Sequence, residues 1–105
     1  MPKKLECFKL HKFQIYVLNC SSLEDIKPLE KWNVSNGRDM EGIFCRCTEL
    51  SDITPLKNWN VSKCENFSFI FNMCIPLVDI EPLKNWDVSN GIDFQCSFRE
   101  MLFFM

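Results

Sequence analysis

Apolar residues return along this chain in a fixed 27-residue register, and a repeat of that period is the signature of an array of stacked units. Phe13, Met40, Phe67 and Phe94 share one register, followed three positions later by Tyr16, Ile43, Ile70 and Ser97. Val17, Phe44, Phe71 and Phe98 come one step after those, and Cys20, Cys47, Cys74 and Met101 three steps further on. This i, i+3, i+4, i+7 stripe predicts a short amphipathic helix with one buried face in each unit. A polar turn stands ahead of each: Ser35-Asn36-Gly37, Ser62-Lys63-Cys64 and Ser89-Asn90-Gly91. The serines are expected to cap the helix starts, with Ser62 and Glu65 at capping-box spacing, and Asp39 and Asp93 suit the positive end of the helix dipole.

Between these stripes lies a second pattern. Leu23, Ile26, Leu29, Trp32 and Val34 recur as Leu50, Ile53, Leu56, Trp59 and Val61, and again as Leu77, Ile80, Leu83, Trp86 and Val88. The spacing suits neither a long helix nor a long strand. Proline at Pro28, Pro55 and Pro82 removes a ladder donor, so any strand near Asp52 and Ile53 is expected to end there. The Trp-x-Val alternation is a second short extended segment.

One such unit cannot bury its own apolar side, whereas stacking gives each Trp, Leu and Phe its counterpart in the next unit as a neighbour. The expected fold is a single α/β domain, a short leucine-rich-repeat-like solenoid of 27-residue units, each a short helix plus short extended segments stacked in parallel. Its divisions are 1–20 as an N-terminal half repeat or cap, 21–47, 48–74 and 75–101 as repeats, and 102–105 as an apolar C-terminal end. The expected core includes Leu23, Ile26, Leu29, Trp32, Met40, Phe44, Leu50, Ile53, Trp59, Phe67, Phe71, Leu77, Ile80, Trp86 and Phe98.

Composition narrows the functional classes. Twelve basic and fourteen acidic residues are spread along 105 positions, with no block of either sign, which argues against a nucleic-acid partner. In residues 1–20 Glu6, Lys9, His11, Lys12 and Gln14 interrupt every apolar run. No signal peptide and no membrane span are therefore expected. Seven cysteines without a leader read as reduced, buried thiols, and the odd number leaves at least one without a partner in the chain.

The repeated Trp-Asn-Val-Ser-Asn motif with its Phe/Met stripe and cysteine resembles the BspA-type leucine-rich repeat, also known as DUF285 or the mycoplasma-type surface-protein repeat. The resemblance is carried by residues 32–47, 59–74 and 86–101. It implies a repeat solenoid, found in surface proteins and in some large DNA viruses, with roles in adhesion and protein binding and no catalytic residues. Without a leader, the expected location is intracellular or virion-associated rather than secreted.

Catalytic and cofactor chemistry finds little to stand on. His11 is the only histidine and falls in the basic N-terminal segment, read as a solvated helix residue, and three glycines form no phosphate loop. Cys45 and Cys47 on a helix would point about 200° apart, too far round to share a metal. Cys20, Cys47 and Cys74 would stack about 5 Å apart, near disulfide reach, with apolar filling as their first reading. No catalytic residue, metal or cofactor is expected; a small cysteine-based metal protein or enzyme is the competing reading.

The candidate partner-binding positions are of two kinds. Lys31, Asn33, Asn58, Asn60, Asn85 and Asp87 are expected to line one exposed face, where the asparagines either form a hydrogen-bond ladder or meet a partner. Leu102, Phe103, Phe104 and Met105 give the C-terminal end an apolar surface that is expected to meet a second copy or another protein. The functional expectation is thus a non-enzymatic structural or protein-binding repeat module, or a virion-associated structural protein built from the same repeat.

Overall fold

Successive units lie one on another in the register of the sequence repeat. A computed structural model describes residues 8–10, 15–17 and 23–97. Asp39 bridges Asn66 and Asn66 bridges Asp93, both in parallel. Along this ladder the amides of Met40, Gly42, Phe44 and Arg46 donate to the carbonyls of Asn66, Ser68, Ile70 and Asn72 at 2.7 to 3.0 Å. Phe67 and Phe69 donate in the same way to Asp93 and Gln95.

The helical stripes of the sequence are not helices. Among the described residues there is no α-helix, and residues 41–46 and 68–73 are consecutive turns. The amides between the ladder donors bond within their own unit, Ile43 to Met40, Cys45 to Gly42 and Cys47 to Phe44. Alternate donors therefore reach the neighbouring unit, and those between them close tight turns. Left-handed backbone at Gly42 (φ 62), Arg46 (φ 63), Phe69 (φ 57), Met73 (φ 67) and Cys96 (φ 51) reverses the chain where a helix would continue. The side chains of the helical stripe still point inward, because a run of tight turns also returns the chain to the core at every third or fourth position.

The Pro-Leu segments likewise differ from the expected strands. Lys27–Leu29, Thr54–Leu56 and Glu81–Leu83 are single 3-10 turns. Proline occupies the middle position of each, where its fixed φ fits and no amide is needed. Leu29 donates to Ile26 and Trp32 to Leu29, so each inward residue is tied to the inward residue three before it. The same link runs from Leu56 to Ile53, from Trp59 to Leu56, from Leu83 to Ile80 and from Trp86 to Leu83.

The N-terminal half repeat is corrected too. Instead of a helix it contains two antiparallel strands, β1 (Phe8–Leu10) and β2 (Ile15–Val17), with Phe8 paired to Val17 and Leu10 to Ile15. His11 and Cys20 lie outside the described residues.

The core is a set of columns. Leu23, Ile26, Leu29, Met40, Phe44, Leu50, Ile53, Trp59, Phe67, Phe71, Leu77, Ile80 and Trp86 are all buried, and Trp32 is half-buried against them. Phe98 is outside the described residues. Phe44 stacks on Phe71 and Phe67 on Phe94, each pair with centroids 5.4 Å apart and rings 6° and 11° from parallel. That spacing is close to the distance between paired strands, so ring columns and backbone ladder keep the same step.

Candidate functional site

The exposed Asn and Asp positions are held by local turns. Asn33 Oδ1 accepts from Ser35 N at 3.1 Å and from Ser35 Oγ at 2.6 Å. Asn60 accepts from Ser62 N and Oγ at 3.1 and 2.8 Å, and Asp87 from Ser89 N at 3.0 Å. The asparagine ladder between units is therefore replaced by an Asx turn within each unit, because a side-chain oxygen two positions back mimics a backbone carbonyl. The serines expected to cap helices complete these turns instead.

Two further sets repeat the device. Asp25, Asp52 and Asp79 accept from the amides of Lys27, Thr54 and Glu81 at 2.9 to 3.0 Å and so start the three proline turns. Asp39, Asn66 and Asp93 accept from Glu41, Ser68 and Gln95 at 2.9 to 3.0 Å and start the ladder segments. Each unit thus carries three Asx turns. The 27-residue register of aspartates was visible in the sequence, but its role was not.

The hydrogen bonds to the amide and hydroxyl of Thr54 hold the Asp52 carboxyl below the usual carboxylate range, and the Ser89 hydroxyl and amide do the same for Asp87. Lys31, Asn58 and Asn85 are exposed, as are Asn33, Asn60 and Asp87. In the register of the repeat, Lys31, Asn58 and Asn85 are equivalent positions of successive units, and so are Asn33, Asn60 and Asp87. Between the proline turns run two shallow polar grooves. One of about 620 Å³ is lined by Glu24, Asp25, Lys27, Glu30, Asp52 and Thr54. The other, about 530 Å³, includes Lys57, Asn58, Asp79, Glu81, Lys84 and Asn85. Lys27 pairs with Glu30 at 3.1 Å in the first unit, while in the third Lys84 pairs with Glu81 at 2.9 Å, so the charge order along the groove reverses between units.

A second surface was missed by sequence reasoning. Met73, Ile75 and Val78 are 53%, 73% and 83% exposed at the junction of the second and third units. Their counterparts one repeat earlier are Arg46, Thr48 and Ser51, all polar. The change was legible as a difference between aligned units, but only the structure shows that these positions face outward. Leu102, Phe103, Phe104 and Met105 lie outside the described residues.

The cysteines divide by direction. Cys45 is half-buried and Cys96 exposed, whereas Cys47, Cys64 and Cys74 are buried. Burial pushes the Cys64 thiol up to about 11. Cys47 hydrogen-bonds to Cys74, which with burial drives its own thiol far above the ordinary range and favours ionisation at Cys74. Cys74 Sγ in turn donates to Phe44 O at 2.8 Å. Among the described residues no group of three or more His, Cys, Asp or Glu side chains is placed to hold a metal ion. None of their helices is long and apolar enough to cross a membrane.

The 27-residue sequence register thus recurs in the described residues as equivalent Asx turns, parallel bridges and hydrogen bonds. The chain belongs to the DUF285 family, described as Mycoplasma protein of unknown function, whose model matches residues 11–105. No curated protein and no solved structure matches the chain significantly.

Proposed function

We propose that this chain is a non-enzymatic repeat module, a short leucine-rich-repeat-type solenoid, that acts by binding protein. What supports the reading is the outer edge where the second unit meets the third, at which Met73, Ile75 and Val78 stand exposed at positions that are polar one repeat earlier. An apolar patch on an otherwise polar surface marks an interaction site. The occupant we assign is a second copy of the chain, meeting this edge. A two-fold arrangement would close the assembly, and a head-to-tail one would extend it.

Sedimentation equilibrium of the full chain, alone and with Ile75→Asp and Val78→Asp together, tests this. Concentration-dependent association that the double substitution removes is the expected result. A chain that remains monomeric at tens of micromolar overturns self-association.

A further inference from the structure

We propose that Cys47 and Cys74 form a redox-closable staple between the first and second units. Cys47 and Cys74 hold the same register position in adjacent units, 27 residues apart, and both Cys47 N, at 3.2 Å, and Cys74 Sγ, at 2.8 Å, converge on the carbonyl of Phe44. Cys74 therefore leans over the turn that Cys47 closes. The ladder bonds just before it, Phe44 to Ile70 and Arg46 to Asn72 at 3.0 and 2.7 Å, hold the two backbones at strand-pair spacing. Strand-pair spacing of about 5 Å lies within the Cα separation a disulfide spans.

The chemistry is an exchange with a small-molecule disulfide such as oxidised glutathione. Cys74, 7% exposed where Cys47 is 0%, is the thiol that meets the oxidant. Its thiolate attacks one sulfur of the small disulfide, forming a mixed disulfide and releasing one small thiol. Cys47 then gives up its proton and attacks Cys74 Sγ, which releases the second small thiol and leaves the Cys47–Cys74 bond. Two protein thiols are oxidised and one small disulfide is reduced to two thiols. The closed loop is one full unit, so the bond ties one layer of the stack to the next.

The test is native incubation of the full chain with oxidised and reduced glutathione, followed by trapping of free thiols under denaturing conditions and peptide mapping by mass spectrometry. The expected dominant intrachain product joins Cys47 to Cys74, and the same incubation in denaturant loses that preference. Melting of the cross-linked chain should rise by about 10 °C and return on reduction. Recovery of both cysteines as trapped thiols after prolonged incubation overturns the proposal. So does a product joining Cys47 mainly to another cysteine, or a cross-linked chain that melts no higher than the reduced one.

Discussion

The indole Nε1 of Trp59 donates to the carbonyl of Leu29, 2.9 Å away and 30 residues earlier. That carbonyl already accepts the amide of Trp32 at 3.0 Å, closing a turn in its own unit. Both of its lone pairs are thus used, one within a unit and one between units. Trp86 repeats the arrangement on Leu56 O at 2.9 Å. A buried indole N–H needs such a partner, so tryptophan is specified here by its donor as well as its volume.

Trp59→Phe keeps a ring in the column and removes the donor. It should cost about 1 to 2 kcal/mol, the net worth of one hydrogen bond and the carbonyl left half-satisfied. Trp59→Ala should cost roughly 3 to 5 kcal/mol. Urea unfolding of the two variants separates the contributions, and a Trp59→Ala cost below about 1 kcal/mol would mean that this ring is not core.

Asn60→Ala removes an acceptor of two hydrogen bonds and should destabilise by about 1 kcal/mol. Asn60→Asp keeps the oxygen and copies Asp87 in the next unit, so its expected cost is within about 0.5 kcal/mol. Equal losses in chemical unfolding would show that the amide nitrogen, not the Asx turn, carries the effect.

Acid should weaken the stack through Asp52 and Asp87. Their folded values lie below the ordinary 3.8, so the stability they contribute is fully present above that range. It is lost as pH falls through the depressed values, when the turn-capping carboxylates take up protons. Melting temperature followed from pH 6 downward should fall below about pH 4, and less steeply for Asp87→Asn. An identical profile in that variant would exclude its carboxylate as a source.

Cys96, exposed with φ 51, occupies the register position of Gly42, whose φ is 62. A side chain in left-handed backbone carries strain that glycine does not. Cys96→Gly should therefore stabilise by up to about 1 kcal/mol, and Gly42→Ala should destabilise by at least that much. Thermal melts of both variants check the pair, and opposite signs are the outcome that matters.

The inward positions were legible because they depend only on period and polarity, which is why Leu23, Phe44 and Trp86 are found buried as expected. The form of the elements was not. Met40, Ile43, Phe44 and Cys47 satisfy a helical pattern, yet their amides alternate between turn and neighbouring unit. Nothing local in Phe69 or Met73 announces left-handed backbone, which glycine marks only at Gly42. It is the stacking of units, through bonds such as Phe67 to Asp93, that makes those conformations tolerable. Of the candidate surfaces, the Asn and Lys face could be placed from register. The apolar edge at Ile75 and Val78 could not, because which side chains of the corner turn outward is set by its left-handed backbone.

Among the described residues the side-chain bonds that cross between units span 25 to 30 residues, as Asn66 Nδ2 to Glu41 Oε1 and Trp59 to Leu29 show at the two limits. A gene encoding such a chain can gain or lose the codons of one whole unit and still specify only contacts of kinds already present. A single-codon insertion has no such licence, since it shifts every downstream corner against the unit below. Tandem duplication and recombination between units are thus the changes of length that this architecture tolerates, and the number of layers is free to vary while the size of each is not.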